Sequence, residues 1–132
     1  MTVSTDFLVS KSDLGQTRFT ETDLGDLADG QVLLRIEKFA LTANNITYAV
    51  VGGQMAYWNF FPAEDGWGRV PVWGFATVAE SRHPEIAVGE RVYGYLPMSS
   101  YLVVEPGKIA DSAFLDMAAH RQPMNRVYNN YR

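Results

Sequence analysis

Side chains able to do covalent or metal chemistry are scarce in this sequence. There is no cysteine, and the only histidines are His83 and His120. That leaves no thiolate zinc site, no disulfide framework and no histidine-rich metal site. His83 precedes Pro84 in what reads as a surface turn, and its neighbours Glu80 and Glu85 lack the spacing of a working carboxylate pair. Ser99 and Ser100 sit in no nucleophile elbow and have no histidine placed to activate them, so a hydrolase triad is not expected. Gly66 and Gly68 flank Trp67 but precede no helical pattern, so they do not make the phosphate-cradling turn of a dinucleotide site. What remains is hydrogen-bonding and aromatic chemistry. Residues 42–53 (TANNITYAVVGG) offer Asn44, Asn45 and Tyr48, and residues 54–68 (QMAYWNFFPAEDGWG) offer Tyr57, Trp58, Phe60, Phe61 and Trp67. The second segment is long for a loop. It reads either as an aromatic lid plugging one end of a β-structure or as an exposed wall that meets a ligand or partner.

Those groups sit in a chain of 132 residues, enough for one domain with a real core, with 47% hydrophobic and 20% charged residues. No apolar run reaches the roughly 20 residues that span a bilayer. The first residues, MTVSTDFLVSK, lack the basic leader and apolar length of a signal peptide, so a cytoplasmic protein without a membrane partner is expected. A net charge of −4 argues against nucleic acid as a partner. The charge is uneven: residues 1–66 hold four basic and nine acidic residues, net −5, leaving +1 for the rest. Residues 120–132 carry three arginines and no acid, which reads as a solvated tail or, more sharply, as a phosphate-facing one.

Short strands are expected at 7–11 and 17–22, followed by turn chemistry in DLGDLADG (23–30) with two glycines free to take positive φ. QVLLRIEKFAL (31–41) is the clearest strand. Val32, Leu34 and Ile36 alternate onto one face; then Phe39 and Leu41 carry the apolar face on odd positions. Such a phase slip predicts a β-bulge near Glu37–Lys38. Residues 42–53 predict about two turns of helix, capped by Thr42 or Asn44, with Ile46, Ala49 and Val50 on its apolar face and Gly52–Gly53 to stop it. Residues 70–81 are apolar on both faces, as in a strand covered on both sides. Further strands are expected at 91–96 and 101–105, the latter closed by Pro106–Gly107. A short helix capped by Asp111 or Ser112 is expected over 112–120, and no regular pattern after Pro123. Short strands with Gly/Pro turns add up to a mainly β fold, a small and partly open β-barrel with one or two short helices.

Four segments in order carry a resemblance. Residues 31–53 are similar to the strand and short helix of the medium-chain dehydrogenase/reductase superfamily, with its V-L-V-R-V-x-x-x-x-L-N-x-x-D run. VWGFATVA within 70–79 resembles its next strand, VGERVYG (88–94) its V-G-D-R-V-x-G turn, and SSYLVVEP (99–106) its Y-A-E-Y-V-x-V-P. The order and spacing agree across about residues 6–120, which implies a GroES-like, substrate-side domain over 1–120 and a tail over 121–132 leading toward a cofactor domain these residues do not contain. NRVYNNYR at the end is similar to an uncharacterised bacterial branch of that superfamily, in which the chain continues.

The resemblance implies a zinc-independent, quinone/enoyl reductase-like protein. Thr42–Asn44 and Trp73–Gly74–Phe75 stand where zinc relatives place their ligands, and the Asn-x-x-Asp pair is replaced by Thr42 and Asn45. It further implies NADP(H) for the full-length protein, none bound by this chain alone, and a small carbonyl or enone substrate. Tyr48 is implied as the group donating to the substrate carbonyl, with Asn45 as a second catalytic candidate. Asn44 and Asn45 are the implied cofactor contacts, and Tyr57, Trp58 and Phe60 the substrate pocket. As an isolated chain it is expected to be inactive. If a domain is missing, an exposed apolar patch near residues 57–61 and a homodimer covering it are expected. A non-catalytic binding or oligomerisation module on the same barrel is the alternative.

Overall fold

Strand β3 (Val32–Ala40) organises the molecule because both its edges are used. It pairs antiparallel with β5 (Pro71–Ser81) along its length and with β7 (Tyr101–Val104) over Val32–Arg35; β6 (Arg91–Pro97) lies beyond β5, giving the order β6-β5-β3-β7. In this computed structural model, which describes residues 2–50, 57–110, 113–121 and 126–132, the pairing of β3 with β5 slips between Ile36 and Lys38. Glu37 is thus the extra residue of a bulge where the sequence pattern changes phase. Its carboxylate accepts from Arg91 Nε at 2.8 Å, and the Arg91 guanidinium lies 4.5 Å from the centre of the Phe75 ring.

A second sheet has the order β2-β1-β4, from β1 (Val3–Ser10), β2 (Thr17–Asp23) and β4 (Trp67–Gly68). β1 joins the first sheet through the Asp6–Ser99 bridge and the Phe7 N–H to Met98 O bond of 2.9 Å. The turn between β2 and β3 uses glycine as its sequence suggests, with Gly25 at φ 66° and Gly30 at φ 85°. A third sheet, β10-β9-β8, comprises β8 (Pro106–Ala110), β9 (Ala113–Asp116) and β10 (Asn130–Tyr131). It meets the first sheet where Tyr93 and Arg132 exchange backbone bonds of 2.8 and 3.0 Å. The result is mainly β with an open rather than closed barrel. Its core gathers Val32, Leu34, Val72, Ala76, Val78, Leu96, Val104, Phe114 and Tyr131.

Several expectations need correction. β7 ends at Val104, ahead of Pro106 as expected, but Pro106–Gly107 begins β8. Residues 113–116 form β9, not a helix, and the chain continues into a 3-10 turn at Ala119–Arg121. Phe114 and Leu115 gain burial by pairing between β8 and β10, while the Asp116 carboxylate accepts from the Glu105 and Ala118 amides. Tertiary partners there override a local helical preference. The proposed caps Asp111 and Ser112 lie outside the described residues. β5 is buried on one face only, and Phe75 on the other is exposed beneath the charged cover of Arg91. The last residues are no solvated tail: helix α2 (Arg126–Asn129) and β10 follow, and Arg121, Asn129 and Tyr131 are buried.

Candidate functional site

Helix α1 (Ala43–Val50) follows β3 directly and is held by one side chain. Asn45 Oδ1 accepts the Thr42 amide at 2.6 Å, so Thr42 occupies the N-cap position and Asn45 reaches back as the third residue of a capping box would. Asn45 Nδ2 donates to Pro71 O at 2.9 Å, fastening the helix start to the start of β5. This buried amide is therefore committed to backbone at both ends. The side chain of Asn44 and the glycines 52–53 lie outside the described residues. The helix buries Asn45 and half-buries Tyr48 and Ala49, whereas Ile46, expected on the inner face, is 67% exposed. The inward face is set by Asn45 docking on β5 and not by the apolar periodicity.

One turn after Asn45, the half-buried Tyr48 sets its ring edge-on to Tyr95, with centroids 5.6 Å apart at 87°. Tyr95 is the hub of an aromatic floor. Trp73 lies 4.9 Å from it, Tyr128 4.8 Å and Phe60 5.0 Å, in the offset and edge-on arrangements that ring quadrupoles favour. Beside this floor opens a cavity of about 350 Å³ bordered by Trp73, Tyr93, Asn130 and Arg132, where the Trp73 and Tyr93 rings stack at 6.0 Å and 17°.

Among the described side chains of residues 57–61, the expected exposed apolar patch is absent. Phe60 and Phe61 are buried against Tyr95, and Trp58 is buried with Val9 and Val70. Trp58, Phe60 and Phe61 are drawn inward because they find apolar partners on β1 and β6. The side chain of Tyr57 lies outside the described residues. Of the expected site residues, the structure thus brings Tyr48 and Phe60 onto one floor through Tyr95. It uses Asn45 to hold the helix that carries Tyr48 and places Trp58 in a separate cluster.

Two polar networks escaped the sequence reading. The first surrounds Arg121, whose guanidinium is fully buried. Its Nε donates to Asn129 Oδ1 at 2.9 Å, Nη1 to Asp116 Oδ2 at 2.9 Å and to the Tyr131 hydroxyl at 2.6 Å, and Nη2 to Tyr128 O. The Tyr131 hydroxyl in turn donates to Tyr95 O at 2.6 Å. Burial pushes the Tyr131 phenol up to about 12, although the Arg121 charge pulls the other way. The arginine-rich end of the chain was the available signal.

The second network surrounds Asp6, which accepts from Arg69 Nη2 at 3.0 Å and Thr22 Oγ1 at 2.9 Å. Burial alone would raise this carboxyl, but the Arg69 bond and the neighbouring hydroxyls outweigh it, so Asp6 titrates below its ordinary value. These groups border a smaller cavity of about 170 Å³, with His120 also on its lining. An acid on the inward phase of a strand, between Ser4 and Leu8, was the sequence clue. His83 is half-buried in its turn, its Nδ1 accepting the Glu85 amide at 3.1 Å.

Among the described residues, no three His, Cys, Asp or Glu side chains gather as a metal site, and no helix is long and apolar enough to cross a membrane.

The fold has solved counterparts. CurA from Vibrio vulnificus matches with a TM-score of 0.59 at 20% identity, over 79% of this chain and 30% of that one. The quinone oxidoreductase from Coxiella burnetii matches with a TM-score of 0.50 at 10% identity, over 97% of this chain and 40% of that one. The chain thus spans less than half the length of either, and what it shares with them is the fold. No curated protein matches the sequence. Residues 39–132 match the family described as Protein of unknown function (DUF2855), and the chain belongs to it.

Proposed function

We propose that this chain is the GroES-like, substrate-side domain of a zinc-independent, NADP(H)-dependent oxidoreductase-like protein, acting on a small carbonyl or enone in the cytoplasm and inactive by itself. The observation that carries the reading is the position of Tyr48. Its phenol-bearing ring stands half-exposed on an aromatic floor that continues through Tyr95 to Trp73, and Trp73 borders the 350 Å³ cavity. A volume in that range suits a small planar substrate. Tyr48 reaches the cavity border only through Tyr95 and Trp73, and a phenol beside such a site can donate a hydrogen bond or proton to a carbonyl oxygen.

Asn45 acts as a support for Tyr48, and Phe60 packs against Tyr95 within the same floor, while Trp58 lies in a separate cluster and takes no part in the pocket. Asn44 and Tyr57 retain the roles the resemblance assigns, as cofactor contact and pocket wall. The described residues do not fit a dinucleotide: Gly66 and Gly68 lie at a turn and in β4, which pairs with β1 and leads into no helix. No step of the reaction is therefore routed through NADP(H) on this chain, and the nucleotide belongs to the rest of the protein.

Titrating cyclohex-2-enone into the purified chain and following the Tyr48 and Trp73 resonances tests the reading. Saturable shifts at both, weakened in Tyr48→Phe, are expected; shifts absent or linear in concentration overturn it. Turnover of NADPH by the chain alone would overturn its inactivity.

The alternative is a non-catalytic assembly module forming a homodimer. Burial of Trp58, Phe60 and Phe61 removes these three rings as its docking face. A different groove, between β2 and the end of β3, exposes Phe19, Phe39 and Leu41 and favours this second reading.

A further inference from the structure

A fully buried guanidinium is a costly way to gain stability, because desolvation offsets much of the attraction to its partner. What the Arg121 fork supplies is geometry. Its four hydrogen bonds reach Asp116 on β9 and Tyr128, Asn129 and Tyr131 on the last segment, and Asn129 Nδ2 returns a bond to Arg121 O at 2.9 Å. A lysine has no planar fork to serve these directions together. The consequences run outward from Tyr131. Its ring fills a notch that only glycine leaves open, since a Cβ on Gly94 would lie 2.5 Å from the ring, and its hydroxyl holds the carbonyl of the next residue, Tyr95. Both contacts fall on β6, directly under the ring that Tyr48 meets. On either side of Tyr131 in sequence, Asn130 and Arg132 border the 350 Å³ cavity.

We infer that Arg121 is a positioning residue for this cavity, acting through Tyr131 on the backbone of Tyr95 and so on the setting of Tyr48, while also holding the Asn130–Arg132 wall. The inference rests on the reading of the cavity as the ligand-facing site. Arg121 is not on the cavity's lining; one buried side chain fixes both the aromatic floor beside the cavity and the cavity's Asn130–Arg132 wall.

The test compares amide and aromatic NMR spectra of the free protein with those of Arg121→Lys and Tyr131→Phe. Expected are clear shifts at Gly94, Tyr95, Trp73, Asn130 and, through Tyr95, at Tyr48, with Phe7 and Phe19 on the other sheet unmoved. Perturbation confined to residues 113–132, with Tyr48 unmoved, overturns the inference. If Arg121→Lys fails to fold, Tyr131→Phe carries the test, because it leaves the Arg121–Asp116 pair intact. Cyclohex-2-enone titrations separate the two readings: wild-type protein that does not bind overturns the proposed function, while the Tyr48 shift still decides the role of Arg121. Where the wild type binds, at least a fivefold weaker Kd in Arg121→Lys is expected, and an unchanged Kd overturns the inference.

Discussion

The hydroxyl of Tyr131 bridges two buried groups, accepting from Arg121 Nη1 and donating to Tyr95 O, each at 2.6 Å. Tyr131 itself has no solvent exposure, so its proton is held by the fold. The folded-state value of about 12 lies above the ordinary 10.0. A group whose value is raised on folding contributes stability below its unfolded value and loses it as pH rises through the folded one. Unfolding free energy should therefore fall between about pH 10 and pH 12, by up to ~3 kcal/mol, because each tenfold difference in proton affinity is worth about 1.4 kcal/mol. Tyr131→Phe should cost about 1–2 kcal/mol at pH 7 by leaving a carbonyl and an N–H unpaired, and should flatten the alkaline limb. Urea titrations at pH 8 to 12 check both.

Asp6 gives the opposite sign. Its folded value lies below the ordinary 3.8, so it stabilises above that pH and loses the contribution as pH falls through the folded value. The acid limb of wild-type protein should be steeper than that of Asp6→Asn. The partners are buried unequally, with side-chain exposures of 18% for Arg69 and 4% for Asp6. Removing Arg69 strands the deeper charge, so Arg69→Met should cost about 3–5 kcal/mol and exceed Asp6→Asn. Equal costs in chemical denaturation would refute the burial argument.

Asn45→Ala removes the cap on Thr42 and the fastening to Pro71 together. A loss of about 1–2 kcal/mol is expected, with faster amide exchange confined to α1. Asn45→Asp keeps an acceptor for the Thr42 amide but turns a carboxylate oxygen toward the Pro71 carbonyl. It should destabilise at neutral pH and recover as the carboxyl is protonated. A variant equally unstable at pH 4 and pH 7 would show that the second bond matters little.

Much of this architecture was legible because alternation and turns are local signals. The slip from Ile36 to Phe39 marked the bulge, and Thr42, one of the two expected caps, marked the helix start, while the part played by Asn45 in the cap was not foreseen. What failed depends on partners distant in sequence. Phe114 and Leu115 look helical until β8 and β10 flank them. Phe60 and Phe61 look like an exposed cluster until Tyr95 is placed beneath them. Arg121 looks like surface charge because its partners, Asp116, Asn129 and Tyr131, acquire meaning only when the chain returns past β9. For the site, the sequence pointed to α1 and Tyr48 but not to Tyr95, the residue through which the contacts run.

The bare groove between β2 and the end of β3 gives the last prediction. β7 stops pairing with β3 at Arg35, so the outer half of β3 stands beside a groove of about 560 Å³ with Phe7, Phe19, Phe39, Leu41 and Met98 on its lining. Phe19 is 73% exposed and Leu41 69%, more apolar surface than an isolated domain leaves to water without reason. In the homodimer proposed as the second reading, two-fold symmetry counts each side chain twice. Burying one apolar side chain stabilises by about 1.5–3 kcal/mol, so Phe19→Ser should weaken dimerisation by at least ~3 kcal/mol, roughly a hundredfold in Kd. Light scattering coupled to gel filtration should show a wild-type dimer at roughly 50 μM, with Phe19→Ser and Leu41→Ser monomeric and unchanged in circular dichroism. A wild-type monomer at that concentration rules out this face as the dimer contact.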